Sequence, residues 1–306
     1  MNNKLSFKNL LTTQQLNHQD ISLLINTAIE IKNTPLTNIK AITPSPILAS
    51  LFFEPSTRTR FSFESAILRL GGNYINLEQA NTSSIAKGES LEDMGRVMSD
   101  YADIIVLRHP DINSMKAFSQ HTTVPVINAG NGSEEHPTQA LIDLMTLYEH
   151  HQRLDSLTIG FWGDLKYSRT VNSLTKTLAS YNNNTFHFIA TNDFQVSATC
   201  ETMLKQQNCD YVKTSSLNDC LEKLDILYVT RTQTERFTKT SSEYLSPLTK
   251  DLLQTIPKNC IILHPLPRVN EMSNDIDTLA NAHYFKQSQN GLYMRMALIN
   301  TLLQNE

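Results

Sequence analysis

The chain has 306 residues, of which 40% are hydrophobic and 18% charged, which suits a globular protein of two domains, each with a sizeable core. Its formal net charge of −4, with no basic run, argues against nucleic acid or an anionic membrane as partner. No apolar run is long enough to span a bilayer and the N-terminus shows no leader pattern, while the four cysteines (Cys200, Cys209, Cys220, Cys260) form no CxxC pair, which argues against a zinc site and for reduced thiols in the cytoplasm.

Residues 16–32 carry Ile21, Leu24, Ile25 and Ala28 at helical spacing and predict an amphipathic helix. Residues 33–46, rich in Pro, Thr and Asn, read as a loop. The apolar run 47–53 has the character of a buried parallel strand. It leads into Ser56-Thr57-Arg58-Thr59-Arg60, after which Phe63, Ile67 and Leu70 recur at helical spacing until Gly71-Gly72 closes the helix. Ser56 stands at the N-cap position. Such a strand-to-helix turn offers backbone N–H groups, the positive end of a helix dipole and, here, three hydroxyls. The Arg58 fork matches a phosphate. Arg58 and Arg60 point about 200° apart on a helix, so one anion cannot take both, and Arg60 is expected to pair with Glu64 one turn on. In open parallel sheets, ligands bind at such strand ends.

Residues 73–77 predict a second strand, and 78–90, polar and aperiodic, an exposed, mobile loop. From the residues alone, Ser83, Ser84 and Lys87 in that loop read as solvated side chains. Residues 91–102 read as a helix leading into strand 103–107; Arg108 at its end suits either a surface ion pair or the same anion. Strand 124–128 runs through a Gly-rich segment to His136-Pro137-Thr138-Gln139 and a long helix to about His151, with Pro137 at its first position. His136 and Gln139 can face one target. An imidazole donating to a carbonyl oxygen beside an amide-reading Gln suits acyl chemistry, whereas a lone His at a helix start is usually a cap.

The second half repeats the alternation. Strand 157–162 meets the turn Gly163-Asp164-Leu165-Lys166-Tyr167-Ser168-Arg169 and a helix to 180; strand 186–190 precedes helix 195–206. Strand 225–230 ends at Arg231-Thr232-Gln233, strand 260–263 ends at His264-Pro265-Leu266-Pro267-Arg268, and 290–304 form a closing helix. The predicted fold is α/β, with two domains, each a mainly parallel sheet flanked by helices, and the C-terminal helix packing back on the first domain. The expected boundaries are 1–135 with 290–306, a linking helix 136–151, and 152–289. The Gly160–Gly163 turn lacks the GxGxxG spacing and the following acid of a dinucleotide site. Arg169, Arg231 and Arg268 stand at strand ends, and two separated forks suit a small substrate with two carboxylates; an amine-bearing substrate would call for an acidic pocket.

Phe52-Phe53-Glu54-Pro55-Ser56-Thr57-Arg58-Thr59-Arg60, His136-Pro137-Thr138-Gln139 and His264-Pro265-Leu266-Pro267-Arg268, in that order and at these intervals, resemble the carbamoyltransferases, and the likeness runs from near the N-terminus to the closing helix. The Ser-Thr-Arg-Thr motif marks the superfamily. His-Pro-Leu-Pro-Arg and the turn from Gly163 to Thr170 resemble its aspartate branch; the His-Cys-Leu-Pro and Ser-Met-Gly segments of the ornithine branch are not found. The resemblance implies that Ser56, Thr57, Arg58, Thr59 and Arg108 hold the phosphate of carbamoyl phosphate. Thr59, Arg108 and His136 would polarise its carbonyl, and Gln139 with the backbone carbonyls of Leu266 and Pro267 would hold its NH2. Arg169, Arg231, Gln233 and Lys87 would bind L-aspartate, and Arg58, Thr59, Arg108, His136 and Lys87 would be the catalytic set. No cofactor and no metal are implied.

The family works as trimers with shared active sites, so Ser83 and Lys87 would enter a neighbouring subunit's site. Close relatives can carry two adjacent lysines in this loop; here the first position is Ala86, which implies altered loop behaviour. Closer relatives also join separate zinc-binding regulatory chains. Two other readings remain at this point: a carbamoyltransferase for another amine, such as ornithine, or a catalytically silent phosphate-binding scaffold. The scaffold would be marked by loss of Arg58, His136 or Gln139, all of which are present.

Overall fold

A computed structural model of the chain describes residues 4–77, 84–233 and 245–305. The chain divides into two compact units: Met1–Met145 with Gln289–Glu306, and Thr146–Ser288.

The first unit is built on four parallel strands: β1 (Ile47–Phe52), β2 (Asn73–Leu77), β3 (Ile104–His109) and β4 (Val126–Asn131), in the order β2-β1-β3-β4. Five of the six residues of β1 are buried, as a strand covered on both faces requires. Helices α1 (His18–Asn33), α2 (Thr57–Arg69), α3 (Leu91–Tyr101) and α4 (Ser114–Ser119) flank the sheet. Two further helices, α5 (Pro137–His151) and α8 (Tyr284–Leu303), span the division between the units. A reciprocal Asn17–Asp20 capping box fixes the start of α1. The end of α2 is set by Gly72 N–H bonding to Ile67 O and Gly71 N–H to Leu68 O, the paired bonds of a Schellman motif. The later part of α8 buries Met294, Ala297, Leu298 and Leu302, and Lys32 at the end of α1 donates to Asn290 Oδ1 at 2.8 Å. The C-terminal helix therefore packs on the first unit, as expected.

The second unit is a five-stranded parallel sheet: β5 (Thr158–Gly163), β6 (Thr185–Ile189), β7 (Asp210–Thr214), β8 (Ile226–Thr230) and β9 (Ile261–Leu263), in the order β7-β6-β5-β8-β9. Helices α6 (Arg169–Leu178) and α7 (Ala198–Gln206) follow β5 and β6. Trp162, Leu227, Val229 and Ile262 are part of one buried cluster. In each sheet the winding direction reverses once, between β1 and β3 and between β5 and β8. Ligands bind outside the strands' carboxyl ends at such points; Ser56, Arg108, Arg169 and Arg231 lie at or after these strand ends, whereas His136 and His264 follow the edge strands β4 and β9.

Among the described residues, helix α4 and strand β7 were not in the predicted set. Strand β7 is a short edge strand, mostly exposed or half-exposed, so it carries no apolar run to betray it. Helix α8 begins at Tyr284 rather than 290. Helix α7 begins at Ala198 rather than 195 because Ser197 Oγ caps it, accepting from Cys200 N. No helix among the described residues is long and apolar enough to cross a membrane.

Candidate active site

The chemistry-bearing residues of the first unit gather at the ends of β1 and β3. Ser56 is the N-cap residue of α2, yet its side chain makes no cap bond. The hydroxyl instead accepts from Arg108 Nη1 at 3.3 Å. Arg108 is not beyond β3 but within it, and its Nε lies 3.1 Å from Glu54 Oε2 in a largely buried ion pair. Its backbone carbonyl accepts from Phe53 N at 2.8 Å. Arg108 is therefore ion-paired, in a pair more buried than a surface one, and its Nη1 also reaches the Ser56 turn. Arg60 is paired with Glu64 at 3.7 Å, as the i,i+4 spacing predicts. Thr59 is buried while Arg58 is exposed on the first turn of α2.

His136 is buried just before α5, with Nδ1 3.3 Å from Thr138 Oγ1. The segment that delivers it is braced by its neighbour Glu135, whose carboxylate accepts from Thr12 Oγ1, Thr13 N and Thr13 Oγ1 at 2.6–3.0 Å. Gln139 is half-buried on the first turn of α5 and donates through Nε2 to Asp143 Oδ1 at 2.8 Å. This places Arg108, His136 and Gln139 on three segments of one unit.

In the second unit the turn after β5 and the end of β8 are tied through Asp164. This buried carboxylate accepts from Tyr167 N at 3.0 Å and from Gln233 N at 2.9 Å. Gly163 permits the crossing: its φ is +113° and a Cβ there would fall 2.2 Å from Thr230 O. Ser168 caps α6 and accepts from Thr230 Oγ1 at 3.1 Å. Arg169, buried, is the first residue of α6. Arg231 is half-buried at the end of β8, its Nη1 donating to Thr232 O at 3.0 Å, and Gln233 Nε2 donates to Arg231 O at 3.2 Å.

Arg268 departs from the strand-end pattern. Both its Nη atoms bond to Asp277, Nη2 at 2.7 Å, and its guanidinium lies over the rings of Tyr284 and Phe285. The bond from Arg268 draws the Asp277 carboxyl below its ordinary range against a small opposing effect of burial. The fork is thus engaged within its own loop.

The loop before Arg268 is shaped by a buried imidazole. His264 Nδ1 accepts from Leu266 N at 2.8 Å, so Nε2 carries the proton and donates to Glu271 Oε1 at 2.7 Å. Glu271 also accepts from Val269 N. Burial pushes the Glu271 carboxyl up, but the bonds from His264 and the loop backbone outweigh it, and its pKa is lowered overall. Leu266 is held at φ +54° and its bond to Pro267 is cis. A left-handed leucine costs of order 1–3 kcal/mol and persists where surroundings over-determine it, commonly at functional sites. Lys87 is exposed at the end of a short 3₁₀ turn, Ser84–Lys87; Ser83 lies outside the described residues. Burial pushes the thiols up, to about 11 at Cys200 and Cys220, so neither offers a thiolate nucleophile at neutral pH.

The spacing of motifs did not single out Glu54, Glu135, Asp143, Glu271 or Asp277, the carboxylates that hold the motif residues in place. Only Asp143, at i+4 from Gln139, and Glu54, inside the first motif, carried any local signal.

A Ser/Thr/Arg turn, a buried imidazole and an amide in one α/β unit, with two arginines in a second, are the parts that a transferase moving a group from a phosphate to a small anionic acceptor would use. The comparisons narrow this class. Residues 8–149 match the carbamoyl-P binding domain of aspartate/ornithine carbamoyltransferases and residues 155–302 match their Asp/Orn binding domain. The chain is 47% identical over 264 residues to an aspartate carbamoyltransferase catalytic subunit of Clostridium acetobutylicum, covering 84% of this chain and 85% of that one. It superposes on the catalytic subunit of M. jannaschii aspartate transcarbamoylase with a TM-score of 0.89 at 40% identity, covering 98% and 99% of the two chains. It superposes on aspartate transcarbamoylase from Trypanosoma cruzi, solved with carbamoyl phosphate and aspartate, with a TM-score of 0.90 at 32% identity over 97% of each chain. The chain belongs to the aspartate/ornithine carbamoyltransferase family, in its aspartate branch, and is a carbamoyltransferase.

Proposed function

We propose that the chain transfers the carbamoyl group of carbamoyl phosphate to the α-amine of L-aspartate, giving N-carbamoyl-L-aspartate and phosphate, an early step of pyrimidine (UMP) synthesis in the cytoplasm. The observation that carries this reading is Arg108, held between Glu54 and Ser56 with one guanidinium nitrogen 3.3 Å from the turn hydroxyl. Residues 1–135 with 290–306 would take carbamoyl phosphate, 152–289 would take aspartate, and 136–151 would link them. Ser56, Thr57, Arg58, Thr59 and Arg108 bind the phosphate, and Gln139 with the carbonyls of Leu266 and Pro267 takes the carbamoyl NH2. Arg169, Arg231 and Gln233, with Lys87, bind the aspartate carboxylates.

The amine lone pair attacks the carbamoyl carbon and the carbonyl electrons move to oxygen, where Thr59, Arg108 and His136 stabilise the charge. Collapse of this intermediate breaks the carbon–oxygen bond to phosphate, and the departing phosphate accepts the amine's proton. The arginines of the second unit favour aspartate over ornithine. The nearby Asp164, which might have held a cationic side chain, already accepts from two backbone N–H groups.

The resemblance implies a homotrimer with shared active sites, in which Ser83 and Lys87 serve the adjacent subunit, and the relatives' designation as catalytic subunits fits separate regulatory chains joining the assembly. The test is a product assay with carbamoyl phosphate and a panel of amines, alongside the solution mass. Carbamoyl-aspartate formation by a trimer is expected; preference for ornithine or putrescine would overturn the substrate assignment.

A further inference from the structure

An ionised carboxylate can only accept hydrogen bonds, whereas a primary amide has a donating edge and an accepting edge. Asp143 therefore dictates which edge of Gln139 faces it. With Nε2 donating to Asp143 Oδ1 at 2.8 Å, Oε1 is the edge turned away.

Asp143 is fully buried, so its charge needs support. A buried cation on the C-terminal helix is close enough to feel that charge. Arg295 is 4% exposed, its guanidinium sits 4.9 Å over the ring of Phe63, and it feels the charge of Asp143. Its Nη1 donates to Gly291 O at 3.2 Å. A Cβ on Gly291 would fall 2.7 Å from that nitrogen, so a glycine in a helix interior, unfavourable by about 1 kcal/mol against alanine, makes room for the guanidinium. The buried Nε of Arg295 has no hydrogen-bond partner. Two buried charges with an unsatisfied donor between them are a poor device for stability alone, which points to what Asp143 orients.

We infer that Asp143 is a specificity-determining positioning residue: by fixing the Gln139 amide it presents an acceptor to substrate and so selects a carbamoyl group, which has N–H donors, over an acyl group without them. This rests on the assignment of Gln139 to the carbamoyl nitrogen. Burial drives Arg295 toward neutrality, and the charge of Asp143 opposes this. The discrimination is one between near-isosteres: acetyl phosphate carries CH3 where carbamoyl phosphate carries NH2, and a site that hydrogen-bonds an N–H rejects the analogue lacking it.

The experiment measures the KM of carbamoyl phosphate and the competitive inhibition constants of acetyl phosphate and inorganic phosphate for the wild type and three variants: Gln139→Ala, Asp143→Asn and the charge-free double variant Asp143→Leu/Arg295→Met. The double variant guards against misfolding of the single one, which leaves Arg295 without a counter-charge, and an unchanged phosphate constant shows that the anion turn is intact. In the double variant the preference for carbamoyl phosphate over acetyl phosphate should narrow roughly tenfold, the worth of one hydrogen bond, through carbamoyl phosphate alone. If Gln139→Ala leaves the preference unchanged, the assignment of Gln139 is wrong and the inference goes with it. If Gln139→Ala narrows it but neither Asp143 variant does, the assignment stands and the role of Asp143 is refuted. Equal weakening of all three ligands would make Asp143 merely structural and equally refute it.

Discussion

Arg108 and Glu54 face each other across 3.1 Å, Nε to Oε2, in a pair whose side chains are 14% and 20% exposed. The carboxylate takes the Nε edge of the guanidinium and leaves Nη1 directed at Ser56 Oγ. A lysine cannot serve both directions, because a single ammonium lacks the planar fork. Arg108→Lys should therefore cost about 3 kcal/mol in kcat/KM although the charge is kept. Retention of near-normal kcat/KM would show that charge alone matters at this position.

His136→Ala should lower kcat by about 100-fold while raising the KM for carbamoyl phosphate far less, because its hydrogen bond strengthens as the carbonyl oxygen gains charge. Thr138→Val should give a smaller loss in the same direction, since Thr138 Oγ1 contacts the imidazole at 3.3 Å. An effect on KM alone would reduce His136 to a binding residue.

Arg231→Ala should raise the KM for aspartate by roughly tenfold or more, the worth of a charge-assisted bond, while carbamoyl phosphate binding stays nearly intact. Succinate, a dicarboxylate with no amine, should compete with aspartate. Its failure to do so would rule out a pocket for two carboxylates.

Stability should fall on mild acidification because of a histidine cluster at the end of α5. Burial and the neighbouring His150, whose ring centroid lies 4.7 Å away, push the His151 imidazole down to about 4. A group with a depressed folded-state pKa favours the folded form above its unfolded value, near 6.5, and that advantage is lost as pH falls through the window toward 4. The urea midpoint of the wild type should drop across this window, and His151→Gln should flatten the slope. Identical slopes would mean that His151 does not titrate there.

If the assembly is a trimer with shared sites, Arg58→Ala and Lys87→Ala homotrimers should both be nearly inactive, and their random mixtures should regain activity at about a quarter of sites, where each neighbour supplies what the other lacks. Verified mixed trimers without recovery would confine Lys87 to its own subunit or to no role.

How much of this could be read from the chain depended on how local the cause was. The Ser56–Arg60 turn was legible because an apolar run and a helical period bracket it, and the Arg60–Glu64 pair because it spans a single turn. Ser56 is the N-cap residue the pattern gives, but that its hydroxyl turns to Arg108 of a different strand and makes no cap bond was not legible. Arg268 looked like a substrate fork because Asp277 becomes its partner only when the loop folds back. The early start of α8 was hidden because buried Tyr284 and Gln287 carry polar atoms that the fold satisfies: the Tyr284 hydroxyl bonds to Asp277, and Gln287 accepts from His264 N at 2.9 Å.

The first unit is assembled from Met1–Met145 and Gln289–Glu306, with the whole of the second unit between them in the chain. On the ribosome this inverts the usual order, in which the domain nearest the N-terminus folds first. The five-stranded sheet has all its strands before α8 is finished, while the sheet made first must wait for that helix to cover α1 and for Asn305 to accept from Leu5 N and bond back to Leu5 O. During that interval α1, whose Lys32 bonds to Asn290 of α8, lacks that partner, so nascent chains stalled before residue 289 should be the species that chaperones hold longest.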